Sequence, residues 1–290
     1  IDHNPEGDQR AQNELEKIAL SIGFKNVKFQ FEPIAAAYAH EINLTSEKLA
    51  LIVDIGGGTS DFTVIKLSNK FLNKHDRKDD ILSNDGVRVG GNDLDKKLSL
   101  QSFMPEFGYR STYGEKSLSA PLKPFQSLSE WSKENYLYTV KLKPQIQNIL
   151  RISHDPVRLG RLNTILDQEI GNALLQKIES TKINLTSKDL ATAQLNFIED
   201  GLFIDVLGAE FNEAIDEEIN LIADTASRCV SSADLKPKDI SLVVLTGGST
   251  EIPYLQKTFK GLFKNADFSA ENKLSSVVSG LAYDSKRVFR

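Results

Sequence analysis

Residues 49–67, LALIVDIGGGTSDFTVIKL, restrict this chain more than any other stretch. Leu49–Ile55 and Phe62–Leu67 are short, β-branched runs bounded by turn residues, so each predicts a strand. Between them lies Gly56-Gly57-Gly58-Thr59. Glycine opens backbone angles that a Cβ would block. A turn without side chains also exposes successive N–H groups, which form a concave anion nest. Asp54 ends the first run and Asp61 begins the second, so both carboxylates are expected beside the nest. Acids beside a phosphate cradle make sense when a cation sits between them, because Mg²⁺ is commonly held by one or two carboxylates plus phosphate oxygens. An ordinary glycine-rich hairpin is the alternative, but Asp-x-Gly-Gly-Gly-Thr-x-Asp is much less generic than a bare triple glycine. The pattern is not a P-loop, since G-x-x-x-x-G-K-[ST] is absent. Nor is it a Rossmann fingerprint, since strand–turn–strand replaces strand–turn–helix.

Residues 52–61, IVDIGGGTSD, resemble the second phosphate motif of the actin-like ATPase superfamily, in the variant carried by the seventy-kilodalton heat-shock chaperones (DnaK-type). The resemblance implies an α/β, ribonuclease H-like lobe with an inserted, mostly helical subdomain. It implies ATP or ADP with Mg²⁺, and K⁺ as a further ion. Asp54 and Asp61 would face the metal and the attacking water, while Gly56, Gly57, Gly58 and Thr59 would wrap the β- and γ-phosphates.

Composition agrees with a large folded chain. The 290 residues are 40% hydrophobic and 26% charged, enough for a sizeable core and two domains. A net charge of -5 argues against nucleic acid as a main partner. The single cysteine, Cys229, allows no intrachain disulfide and suggests a reducing, cytoplasmic setting. No apolar run approaches the ~20 residues that span a bilayer, so no membrane is expected. The opening Ile1-Asp2-His3 reads as a piece of something longer. Two N-x-T sequons, at Asn43 and Asn184, are read as chance matches.

Leu15, Ile18, Ala19 and Ile22 recur at helical spacing, and Gly23 ends that helix. Phe24–Phe31 is expected as a strand. Glu32-Pro33 followed by alanines predicts a helix start. EPIAAAYA resembles the chaperone segment that crosses between two lobes, and Glu32 matches a glutamate that reaches toward metal and water. A first-turn acid favoured by the helix dipole is the other reading. Phe71–Asp80 reads as a charged connection, and Ile81–Val89 as a strand pair about Asn-Asp-Gly. Gly90-Gly91-Asn92-Asp93-Leu94-Asp95 then resembles the family's G-G-x-D-x-D turn into a helix. Gly90 and Gly91 would meet phosphate and Asp93 the cation; plain N-terminal capping by Asp93 and Asp95 is the alternative.

Residues 105–130 are rich in Pro, Gly and Ser and predict a loop or insertion. Their aromatics, with Trp131, suit either a partner or local packing. Residues 135–150 and 157–182 predict helices, and 191–206 a hairpin about Asp200-Gly201. A helix from Leu207 to about Cys229 follows. Glu179, Lys182 and Thr186 match the family's adenosine-contacting helix end; a solvated i,i+3 pair between Glu179 and Lys182 is the simpler alternative. VVLTGGSTEIP, at 243–253, resembles the adenosine motif, which implicates Gly247, Gly248, Ser249 and Glu251. The family stacks adenine between two arginines, and the matching positions here are Ile183 and Glu251. Neither supplies a cation–π face. The closing helix, Ser275–Arg287, resembles the second connecting helix.

These readings divide the chain into a lobe-connecting segment (1–48), a nucleotide-binding subdomain (49–94 and 207–290) and a helical insert (95–206). The family's first-lobe D-x-G-T hairpin and γ-phosphate lysine have no counterpart here, nor has the peptide-binding β-domain, as in YegD-type relatives. The expected function is the ATP-binding lobe of a DnaK/YegD-like chaperone ATPase, active only with its first lobe, with protein clients or exchange factors as further partners. Alternatives are a nucleotide- or partner-binding regulatory module without turnover, and a sugar- or acetate-kinase-like member of the superfamily.

Overall fold

The computed structural model describes residues 5–41, 44–72, 74, 77–139, 141–269 and 276–289. Asn43, Ser275 and residues 73, 75 and 76 of the 71–80 connection lie outside the described residues. The chain divides into two compact units, residues 1–91 with 219–290, and residues 92–218.

The first unit opens with α1 (Pro5–Ser21), closed by Gly23 at φ 107°. α2 (Glu32–Glu41) begins where Glu-Pro-Ile predicts. Next come β1 (Lys48–Ile55), β2 (Ser60–Leu67) and β3 (Ile81–Val87). β1 and β2 pair antiparallel from Lys48↔Leu67 to Ile55↔Ser60, the expected hairpin. Two expectations fail here. Phe24–Phe31 forms no strand: among the described residues it joins none of the sheets, and Phe24, Phe29 and Phe31 stay exposed. Ile81–Val89 is one strand rather than a pair, because Asp85 and Gly86 lie in register with Phe62 and Asp61 of β2 instead of turning.

The second unit carries α3 (Gly91–Leu98), the short pair β4 (Thr112–Tyr113) and β5 (Leu118–Ser119), and α4 (Leu122–Leu128). α5 (Leu142–Arg151), α6 (Pro156–Gln168) and α7 (Gly171–Asn184) follow. The single helix expected over 157–182 is broken at Glu169, whose φ of 55° is left-handed. Residues 105–130 are not a loose loop. Met104, Phe107, Phe125 and Leu128 are buried, and Tyr109 meets Phe125 edge to face at 5.5 Å. Local packing therefore explains these aromatics, while Trp131 is exposed. β6 (Leu190–Gln194) and β7 (Phe203–Leu207) form the predicted hairpin, with alternate residues buried. α8 (Gly208–Ala214) ends at Ile215, so the helix expected from Leu207 is two.

α9 (Asp216–Ser232) leads back to the first unit, where β8 (Leu242–Thr246), α10 (Pro253–Leu262), β9 (Asp267–Ser269) and α11 (Ser276–Val288) complete it. The sheet order is β3-β2-β1-β8-β9. β2 runs antiparallel to both neighbours, while β1, β8 and β9 run parallel. Every residue of β8 is buried, as a central strand between covered faces requires. Ala36 and Ala37 of α2 pack with Ala50, Ile52, Ile65, Leu67, Leu242 and Val244 of the sheet. The alanine run has a steric purpose. A Cβ on Gly280 of α11 would lie 1.6 Å from the Ala35 carbonyl oxygen, so α2 and α11 cross in near-backbone contact.

At the far end of α2, Glu41 is buried. Both its oxygens accept from the Arg77 guanidinium, at 2.7 and 2.8 Å, and Oε1 also accepts from the Ser68 amide. Arg77 Nε donates to Asp80 at 2.5 Å, and its guanidinium lies over the rings of Tyr38 and Phe71. Burial alone would pull the Arg77 pKa down, but the hydrogen bonds it donates to Glu41 and Asp80 raise it.

Candidate functional site

Asp54 and Asp61 are direct register partners at the turn end of the β1–β2 hairpin. Between them Gly56, Gly57 and Gly58 are exposed. The turn is closed by the Gly56 amide donating to the Thr59 carbonyl at 2.9 Å. Two neighbouring segments brace it. The Gly91 amide donates to the Gly56 carbonyl at 2.9 Å, and Ser60 Oγ donates to the Val89 carbonyl at 2.7 Å. A Cβ on Gly90 would fall 2.7 Å from the carbonyl oxygens of both Gly56 and Gly57, so no other residue fits there without moving the turn. The Gly56 and Gly91 amides are thus engaged within the fold, and Gly57 and Gly58 are the turn's outermost backbone.

The acids are electrostatically uncomfortable. The Asp54 pKa is pushed up from 3.8 to about 6, first by burial, then by Glu32 and by Asp61. Burial also raises Asp61, partly offset by Thr59 Oγ1, which donates to Asp61 Oδ2 at 2.9 Å. Glu32 is the exposed first residue of α2. An opposed pair of half-buried carboxylates, with a third acid in electrostatic range, suits a cation more than bulk water. Among the described residues, no three His, Cys, Asp or Glu side chains form a group that could hold a metal alone. The donor set therefore fits an ion such as Mg²⁺ that takes two carboxylates and completes its shell from phosphate and water. Asp93 sits in the first turn of α3, in the second unit.

The adenosine-side residues expected from the sequence fall in both units. In the first, Gly247 follows β8 at φ 87°, and a Cβ there would lie 2.2 Å from the Ile55 carbonyl oxygen. The Gly247-Gly248 turn is therefore seated on the end of β1, at the base of the phosphate-type turn. Thr250 Oγ1 caps it by donating to the Gly247 carbonyl at 2.6 Å. A Cβ on Gly248 would meet open space, Ser249 is half-buried and Glu251 is exposed.

In the second unit, the last turn of α7 carries Glu179, Lys182 and Ile183. Lys182 is buried, and its Nζ donates to Asp95 Oδ2 at 2.7 Å. The solvated Glu179–Lys182 pair is therefore not what forms, although Glu179 lies close enough to raise the Asp95 pKa. The main cause of that rise is burial, which Lys182 opposes. Asp95 Oδ1 is buried without a hydrogen-bond partner. Ile183 is 57% exposed, and Thr186 Oγ1 turns back to the Ile183 carbonyl at 2.7 Å. Arg158 and Arg161 are engaged elsewhere, with Glu106 and Glu199. Asp95 is the residue whose role the sequence hides. Its place in G-G-x-D-x-D marks a helix start, but nothing local points to a lysine 87 positions away.

Two family models match the chain: MreB/Mbl protein over residues 6–108, and Hsp70 protein over residues 160–285. The first span contains the Asp54–Asp61 hairpin and the Gly90-Gly91 brace; the second contains the α7 end and the Gly247 turn. Among curated proteins, the chain is similar to the chaperone protein HscA of Buchnera aphidicola subsp. Schizaphis graminum, at 23% identity over 286 residues. That alignment covers 98% of this chain and 36% of HscA, so the chain spans about a third of this relative's length.

Proposed function

We propose that this chain is the second nucleotide-binding lobe of an actin-like chaperone ATPase of the Hsp70 family, a reading that both matching family models and the similarity to HscA support. The observation that carries this reading is the register pairing of Asp54 with Asp61 across an exposed glycine turn braced by Gly90. In this reading Gly57, Gly58 and Thr59 receive the β- and γ-phosphates of ATP, and Gly90 and Gly91 hold the turn in shape for them. Asp54 and Asp61 hold Mg²⁺ and Glu32 orients water; Asp93, in the second unit, is proposed as a cation-side carboxylate from the motif resemblance alone. The metal, when bound, neutralises charge developing on the transferred phosphoryl group. Glu179, Lys182, Ile183 and Thr186 of the second unit, and Gly247, Gly248, Ser249 and Glu251 of the first, are each proposed as nucleoside contacts. In this reading hydrolysis requires a first lobe that supplies the other phosphate hairpin and a lysine. The exposed apolar residues Leu15, Ile18, Ile22, Phe24, Phe29 and Phe31 suit a segment that packs on that lobe. Client proteins and exchange factors are proposed by extension from the relative's name as a chaperone.

One observation favours a second reading, a nucleotide-binding regulatory module without turnover. Ile183 and Glu251 stand where the family stacks adenine on arginines, which removes two contacts of ~0.5–2 kcal/mol each. Calorimetry with Mg-ATP and Mg-ADP on the full-length protein, wild type and Asp61→Ala, tests the first reading. We expect binding that the substitution weakens at least tenfold, with turnover lost. Unchanged affinity and turnover in Asp61→Ala would sink the site assignment. Binding without turnover in the wild type would establish the second reading.

A further inference from the structure

We infer that Asp95 is the positioning residue for Lys182, and that this pair sets affinity at the nucleoside end of the ligand. The inference rests on the reading of the α7 end as an adenosine contact. Its evidence is separate from that reading and lies wholly within the second unit. Lys182 is 8% exposed, and an ammonium at that depth cannot rely on water for its hydrogen bonds. Asp95 Oδ2, at 2.7 Å, supplies the counter-charge from the first turns of α3, another helix of the unit. The arrangement is not an optimised structural ion pair. Asp95 Oδ1 is buried with no partner, and Glu179 adds repulsion rather than relief. A carboxylate placed only to stabilise the fold would be expected to satisfy both oxygens, because an orphaned buried acceptor is costly. What the single bond achieves is placement. It fixes the ammonium one helical turn from Glu179, with which Lys182 shares a helix face and which is proposed to meet the nucleoside. A lysine left to itself carries four rotatable carbons and would have to be ordered by the ligand at the ligand's expense.

The test separates placement from mere stability. Binding of Mg-ADP and of Mg-pyrophosphate is measured on the full-length protein by calorimetry, alongside thermal unfolding. The variants are wild type, Asp95→Asn and the charge exchange Asp95→Lys with Lys182→Asp. Asp95→Asn keeps the shape but weakens the hold on Lys182, so Mg-ADP affinity should fall about tenfold or more, as for loss of a hydrogen bond to a charged group. Mg-pyrophosphate, which lacks the nucleoside, should bind within twofold of wild type. The exchanged pair should recover melting temperature without recovering Mg-ADP affinity, because the cation then sits on α3. Equal losses for both ligands in Asp95→Asn, or recovery of Mg-ADP affinity by the exchange, would overturn the inference and leave the pair structural. A wild type that binds pyrophosphate but discriminates nothing in favour of ADP would overturn the adenosine reading itself.

Discussion

Asp54 shows how one side chain links stability to ligand chemistry. Its pKa in the fold is about 6 against 3.8 for the free group, raised by burial, Glu32 and Asp61. Between those values the folded state keeps a proton that the unfolded chain gives up. Its contribution to stability is therefore fully present below pH 3.8 and is lost as pH rises through 6. A metal must displace that proton, so Mg²⁺ affinity should fall up to about tenfold per unit as pH drops below 6. Titrating Mg-nucleotide binding from pH 5 to 8 checks this. Asp54→Asn should flatten the profile and raise the melting temperature without metal, and a profile that survives in Asp54→Asn would show that another group titrates. Gly247 is a purely steric case. Its φ of 87° and the 2.2 Å approach to the Ile55 carbonyl leave no place for a methyl group. Gly247→Ala should cost about 2–4 kcal/mol, combining backbone strain with overpacking. Because the overlap is with the end of β1, nucleotide affinity should fall with it, as urea unfolding and calorimetry can record.

Among elements, α2 is held at both ends by different physics. At its start Ala35 meets Gly280 of α11; at its end Glu41 is locked to Arg77, which also binds Asp80. Removing Arg77 leaves Glu41 buried without its counter-charge, while Asp80 keeps Lys74 at 2.8 Å; losing one partner of a buried ion pair costs about 3–5 kcal/mol. Arg77→Met should lose that much in denaturant unfolding, and adding Glu41→Met and Asp80→Leu should restore part of it. A loss under 1 kcal/mol in the single variant would mean that water reaches the cluster. This cluster was invisible in the sequence, where 71–80 reads only as a charged connection, because Glu41 and Arg77 are 36 positions apart. Patterns confined to one or two neighbouring elements were legible: β1–turn–β2, β8–turn–α10 and the β6–β7 hairpin all stand where their residues place them. Features decided by distant partners were not. Phe24–Phe31 has strand residues but joins none of the sheets among the described residues, β3 runs straight through Asn-Asp-Gly because β2 pairs with it, and the three-residue β9 exists only beside β8. The same division holds at the site. Asp54, Asp61 and the glycines are a local pattern, whereas the bond that buries Lys182 comes from α3.

At the scale of the molecule, the proposed reading assigns hydrolysis to a pair of lobes, of which the described glycine turn and carboxylates belong to one. The glycine turn presents Gly57 and Gly58, and the carboxylates present Asp54 and Asp61, all from one unit of the chain. In that reading a triphosphate bound there would draw further phosphate donors from the other lobe. In a two-lobed ATPase the other side brings its own hairpin amides and a lysine to the γ-phosphate. Each oriented donor missing from a charged transition state costs ~10²–10³ in rate. Losing several leaves little turnover. If the proposed nucleoside site holds, Ile183 and Glu251 should lower affinity further, since neither supplies a cation–π face. Residues 1–290 alone should therefore bind Mg-ATP weakly and release phosphate at least about 10²-fold more slowly than a chain that also carries the first lobe. Adding the first lobe as a separate polypeptide should recover part of the rate in proportion to its concentration, because the apolar surface over Leu15, Ile18 and Phe24–Phe31 would then have a partner. Steady-state phosphate release from the three preparations decides the matter. Turnover by 1–290 equal to that of the longer chain would refute the two-lobe mechanism, and would move the search for the γ-phosphate's remaining donors to this chain's own side chains.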